Sequence, residues 1–193
     1  MKLVFATSNQ HKLAEVLSML PEGVEVTGLK DIGFTEELPE TRDTIEGNSL
    51  QKAEYLATAL HCDCFAEDTG LEVEALNGAP GVYSARYAGE NATFEDNVNK
   101  LLSEMKGVAN RKARFKTVIT YYSQGKHVQF EGITEGLITL HRSGEMGFGY
   151  DPVFIPNGAE KTYAEMTLGE KNIYSHRKKS FERFANYLAK NAV

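Results

Sequence analysis

Two stretches of the chain place bases where a helix ordinarily carries acids. In "FATSNQHKLAEVLSML", Leu13, Val16, Leu17 and Leu20 recur at i, i+3, i+4 and i+7, which predicts a helix over about 9–20 with Thr7 or Ser8 as N-cap. Its first turn holds His11 and Lys12. In "SHRKKS" a second helix, from His176 to about Lys190, opens on His176, Arg177, Lys178 and Lys179 behind a Ser175 cap. A helix N-terminus carries about half a positive charge, so each cation there costs on the order of 0.3–1 kcal/mol. Other starts in the chain are ordinary: "TFEDN" has Thr93 and Asp96 at capping-box spacing, and "TIEGN" has Glu46 in its first turn. The backbone N–H groups that make a cation costly also form an anion site, and adjacent Lys and Arg turn it into a phosphate site. Both basic starts are read as phosphate-binding, although Lys178 and Lys179 also fit a solvated face.

The acids come next. "AEDTG" puts Glu67 and Asp68 at the end of an apolar piece, before a glycine that reads as a turn. As turn acids they would cap local backbone. As ligands they suit Mg²⁺, which commonly takes one or two carboxylates together with waters and phosphate oxygens; Asp68 would then bind the metal, activate water, or do both. In "GFGYDPVF", Phe148 and Tyr150 sit on a loop able to present a ring. The glycine-flanked Phe148 suits stacking on a planar base, Asp151 suits accepting from ring N–H groups, and Phe154 reads as core. There is no G-x-x-x-x-G-K-[ST], and no G-x-G-x-x-G between a strand and a helix, which argues against kinases and Rossmann oxidoreductases.

The elements that must position these residues interleave. Patterns predict a strand at 2–6, the first helix, a strand near 24–29 and a helix over 44–60. "CDCFA" is a short apolar piece, "LEVEAL" a half-exposed strand, and "NGAPGVYSARYAGE" a Gly/Pro loop before a helix over 93–106. "ARFKTVITYY" and "HVQFEGI" form a hairpin across "SQGK", "GLITLH" is a further strand, and "GFGYDPVFIP" leads into a short one. This order predicts an α/β protein with a mixed sheet, in two lobes sharing one core.

At 193 residues the chain is one domain's worth, spanning 1–193. Its 21 Lys and Arg against 27 Asp and Glu give a net charge of −6, which argues against polymeric nucleic acid as a partner. An anionic ligand must therefore be held by local positive groups or arrive with a cation. The apolar run in "MKLVFATSNQ" is too short for a signal-peptide core, and nothing points to a membrane. Cys62 and Cys64, spaced C-x-C, match neither usual zinc spacing nor a C-x-x-C redox pair and read as reduced thiols. A cytoplasmic location is expected.

In "ATSNQHK", "EDTGLEVEALNGAPGVYSARYAG", "GFGYDPVF" and "EKNIYSHR", in that order, the chain resembles the inosine/xanthosine triphosphate pyrophosphatases, over nearly its whole length. The resemblance implies Mg²⁺-dependent hydrolysis of ITP, dITP or XTP between the α and β phosphates, giving monophosphate and pyrophosphate. It implies an elongated two-lobed α/β fold with a central mixed β-sheet flanked by helices, a homodimer, and the nucleotide in the cleft between lobes. Carried over by motif, Thr7, Ser8, Asn9, Gln10, His11 and Lys12 hold the phosphates. Asp68 acts as base and metal ligand, with Lys12 beside it in the catalytic set, and Thr69 contacts substrate. Phe148, Gly149, Tyr150, Asp151, Lys171, His176 and Arg177 form the nucleotide and base end. A C6 oxygen accepts from a donor such as Arg177, whereas adenine's amino group would leave that donor unpaired.

Two departures bear on the metal. The family often has Asp-Asp where this chain has Glu67-Asp68, so Glu67 is not assigned as an inner ligand. In "TIEGNSLQKA" the acid, Glu46, stands one place before the expected Glu-Asn pair, and Glu40 is taken as the second ligand beside Asp68. The alternatives are a related pyrophosphatase for modified pyrimidine nucleotides and a non-catalytic nucleotide or RNA binding module.

Overall fold

The computed structural model of the chain describes residues 1–17 and 19–191, and gives Gln10, His11, Ala14 and Glu15 by their backbone alone. Six strands, β1 Lys2–Phe5, β2 Glu25–Gly28, β3 Cys64–Val73, β4 Lys112–Ser123, β5 Lys126–Ile138 and β6 Phe154–Pro156, form one sheet in the order β2-β1-β3-β4-β5-β6. β1 runs parallel to β2 and β3 while β5 and β6 are antiparallel, so the sheet is mixed, as the sequence predicts. Parallel neighbours need crossovers. α1 Gln10–Leu17 and α2 Ile45–Leu60 supply them; α3 Phe94–Glu104, α4 Leu168–Tyr174 and α5 His176–Asn191 complete the helices.

The chain forms two compact units, 1–68 with 117–132 and 177–193, and 69–116 with 133–176. It passes from one to the other within β3, β4 and β5 and at the first peptide of α5. In the first unit, strand alternation sorts the side chains. Leu3, Phe5 and Phe65 pack with Leu13 and Val16 of α1 and Phe181, Phe184 and Leu188 of α5; the Phe5 and Phe65 rings stack 4.5 Å apart. Cys64 and Ala66, on the opposite face of β3, pack with Ala53 and Leu56 of α2. In the second unit Phe115, Phe154 and Tyr163 anchor a core that includes Val98 and Leu101 of α3. There the predicted capping box is present: the Thr93 hydroxyl accepts from the Asp96 N–H, and the Asp96 carboxylate accepts from the Thr93 N–H at 2.8 Å.

Several expectations change. The N-cap of α1 is Asn9, whose Oδ1 accepts from the Lys12 N–H at 3.2 Å; Thr7 Oγ1 instead receives the Asn9 N–H at 3.1 Å. Among the described residues α1 runs Gln10–Leu17, with Leu17 exposed, and Met19 and Leu20 lie outside it, since Pro21 disfavours helical geometry at Leu20. "EDTG" is not a turn: Glu67, Asp68 and Gly70 lie inside β3, buried strand that polar residues enter only because each acid has a partner there. "HVQFEGI" and "GLI" are one strand, with "TLH" leaving it; α4 was not anticipated. The hairpin turn is Gln124-Gly125, at φ of 51° and 74°, as a two-residue type I′ loop requires.

β5 passes β6 closely at Gly136, where an added Cβ would stand 2.3 Å from the Ile155 carbonyl oxygen and 2.6 Å from the Phe154 ring. Gly136→Ala is expected to destabilise the protein by about 1–3 kcal/mol in urea unfolding.

Candidate active site

The alternation that sends Phe65 toward α1 and α5 and Ala66 toward α2 continues for two residues, so Glu67 and Asp68 leave β3 on opposite faces. Glu67 meets the two basic helix starts. Its Oε1 lies 3.0 Å from Arg177 Nε and 3.6 Å from Lys12 Nζ. The Glu67 side chain is 1% exposed and that of Arg177 8%, while Lys12, at 25%, stays open to solvent. Burial pulls the Lys12 pKa down, and Glu67 opposes that pull without cancelling it.

Asp68 meets α2. Lys52, one of the buried residues of α2 with Ser49 and Leu56, donates from Nζ to Asp68 Oδ1 at 2.9 Å, to Glu40 Oε1 at 2.7 Å and to the Glu67 carbonyl at 2.9 Å. All three ammonium protons are used. Burial lowers the Lys52 pKa, but Asp68 and Glu40 outweigh it and the net direction is up. Burial raises the Asp68 pKa, and Lys52 only partly offsets this. Asp68 and Glu40 are thus two oxygen-donor carboxylates joined by one ammonium. Among the described residues no cluster of three His, Cys, Asp or Glu side chains is placed to hold a metal.

A second group belongs to the second unit. Asp151, 4% exposed, accepts at Oδ2 from Lys171 Nζ at 2.6 Å and from the Phe148 N–H at 3.0 Å. Gly147, at φ +80°, must be glycine here, since a Cβ would stand 2.0 Å from that carboxylate oxygen. Phe148 is 43% exposed, with the Lys171 ammonium 5.2 Å from its ring centroid. Tyr150, expected as a second presented ring, is instead buried in the core, its hydroxyl donating to the Ser84 carbonyl at 2.8 Å. His176 is buried and stacks on Phe115 at 4.8 Å and 10°.

Thr7, Ser8, Asn9, Lys12, Glu40, Asp68 and Arg177 therefore fall in the first unit, and Thr69, Phe148, Gly149, Tyr150, Asp151, Lys171 and His176 in the second. The side chains of Gln10 and His11 lie outside the described residues. Lys52 was missed by the sequence reading. Its signal was a lysine on the inner face of a helix, at i+7 from Ile45 and i+3 from Ser49. Cys64 fits an inert thiol: burial pushes its pKa up to about 12.

Fold and site together define the class: an α/β protein whose mixed sheet carries a carboxylate, lysine and arginine centre on an interior strand. The chain belongs to the Ham1 family, matched over residues 3–187. It is 52% identical over 188 residues to the dITP/XTP pyrophosphatase of Flavobacterium johnsoniae, covering 97% of this chain and 98% of the relative. The relative of the same name from Porphyromonas gingivalis is 50% identical over 189 residues, with 97% of each chain covered. The Ham1 protein of Staphylococcus aureus superposes with a TM-score of 0.93 at 36% identity, over 99% of this chain and 100% of that one.

Replacing Lys52 by Met leaves Asp68 and Glu40 without their shared cation. Loss of one partner from a buried pair predicts destabilisation of about 3–5 kcal/mol at pH 7 in urea unfolding without divalent ions. In the variant nothing from Lys52 opposes burial, so folded Asp68 binds its proton at higher pH than the unfolded chain does, and stability rises on acidification. The deficit relative to the parent should shrink toward pH 4.5.

Proposed function

We infer that the chain hydrolyses the non-standard purine nucleoside triphosphates dITP, ITP and XTP to the monophosphate and pyrophosphate. The observation that carries the reading is Asp68, a buried carboxylate of raised pKa held by Lys52, with Glu67, Lys12 and Arg177 on the other face of the same strand. Support from outside the chain is the name dITP/XTP pyrophosphatase, borne by relatives about half identical over nearly full length.

The roles follow from charge and geometry. Asp68 takes the proton of the attacking water, a task to which a carboxylate of raised pKa is better suited than an ordinary one. Lys12 and the N–H groups opening α1 hold phosphate oxygens. Lys12, Lys52 and Arg177 are matched by Glu40, Glu67 and Asp68, so this cluster is close to neutral on its own. A triphosphate adds several negative charges to a protein already at −6. The donor chemistry fits Mg²⁺, with Asp68 and Glu40 as its carboxylates; the ion would neutralise phosphate charge and polarise the phosphoryl group. Glu67 faces away from Asp68 and is not its partner in that task.

On the base side, Phe148 offers a ring for stacking and Asp151 holds Lys171 and the loop backbone in place. Arg177, held at Nε by the same Glu67 oxygen that Lys12 faces, is taken as a second phosphate donor and, as the resemblance implies, in part as a donor that a C6 oxygen satisfies and a C6 amino group does not. The reading includes a homodimer acting in the cytoplasm, supported by the family resemblance and by the two free cysteines respectively. Among the described residues no helix is long and apolar enough to cross a membrane.

The test is the product. With Mg²⁺ the chain should release pyrophosphate, not orthophosphate, from dITP and XTP, and Asp68→Asn should lower kcat by about 100-fold or more. Orthophosphate release, a preference for methylated pyrimidine triphosphates, or full turnover by the variant would contradict the reading.

A further inference from the structure

Resting on the reading that Phe148 stacks against the purine, we propose that Phe94 is the residue that positions it. Phe94 opens α3 and is 58% exposed, yet its ring centroid lies 6.1 Å from that of Phe148, at an interplanar angle of 44°. Two large exposed rings side by side form an apolar surface of the kind that marks a ligand site, and Met146, two residues before Phe148, is exposed as well. Phe94 is absent from the buried core of its unit, so core packing does not account for it.

The need for such a brace follows from the glycines. Phe148 stands between Gly147 at φ +80° and Gly149 at φ +60°, a backbone with little intrinsic stiffness. Asp151 fixes the Phe148 N–H but not its ring. The ring is steered by the Lys171 ammonium, 5.2 Å from the centroid, and by Phe94. The base under Phe94 is rigid: the Thr93–Asp96 capping box closes the first turn, and buried Asn97 bonds the Ala88 N–H at 2.8 Å and the Ala85 carbonyl at 3.0 Å. Glu95 adds a second tie, pairing at 3.1 Å with Arg142, six residues before Phe148. The first turn of α3 therefore contacts Phe148 and pairs with the segment leading into the glycine loop, and Phe94 acts on the substrate through Phe148.

Calorimetric titration of inosine monophosphate and, separately, of pyrophosphate tests this in the parent, Phe94→Ala and Phe94→Tyr proteins, with dITP kinetics alongside. Phe94→Ala should weaken monophosphate binding about three- to tenfold. It should raise KM for dITP while leaving kcat, pyrophosphate affinity and the melting curve unchanged, and Phe94→Tyr should behave as the parent. Unchanged monophosphate binding in Phe94→Ala, equal weakening of both ligands, or failure of the tyrosine to rescue would overturn the proposal. A parent protein that binds pyrophosphate but neither binds the monophosphate nor turns over dITP would instead overturn the functional reading, and this inference with it.

Discussion

One buried carboxylate, Glu67, draws together two parts of the chain more than 160 residues apart in sequence: Lys12 from the start of α1 and Arg177 from the start of α5. Each cation taken alone opposes its helix dipole. A carboxylate taken alone at that depth would be far more costly, because an ion stripped of water needs a partner of opposite charge. Together the three groups offset one another, and the protein supplies internally part of the negative charge that its two basic helix starts call for. On the proposed function, a phosphate entering there would meet cations that are already arranged rather than ones that must collapse around it, which is the geometry electrostatic catalysis favours.

The period of a β-strand divides the labour. Adjacent residues of β3 point to opposite faces, so two consecutive acids take unlike partners: Glu67 organises the helix starts and Asp68 joins Lys52 and Glu40. Lengthening the first acid by a methylene relative to an Asp-Asp pair therefore has no bearing on the oxygen donors around Asp68. The second unit repeats the logic on a smaller scale, with Asp151 holding both Lys171 and the loop that presents Phe148.

Much of this was legible in the residues, and the misses have physical causes. Helix caps are local, and the Thr93 box was readable from spacing alone. The two anomalous helix starts pointed to an anion. That part of it would be Glu67 depended on a contact across 55 residues in one case and 110 in the other. "EDTG" read as a turn because acids and glycine punctuate surface loops, whereas here tertiary ion pairs carry the acids through buried strand. Lys52 escaped because its partners lie on other elements, and Tyr150 was misplaced because a glycine-rich loop says nothing about which of its rings turns inward.

The central claim is that Glu67 neutralises Lys12 and Arg177 in the protein without substrate. Titration of pyrophosphate into the Glu67→Gln variant, in EDTA to remove divalent ions and with folding verified by thermal melting, tests it most directly. Loss of a negative charge beside both cations predicts binding at least about threefold tighter than in the parent. Binding that is unchanged or weaker would contradict the account.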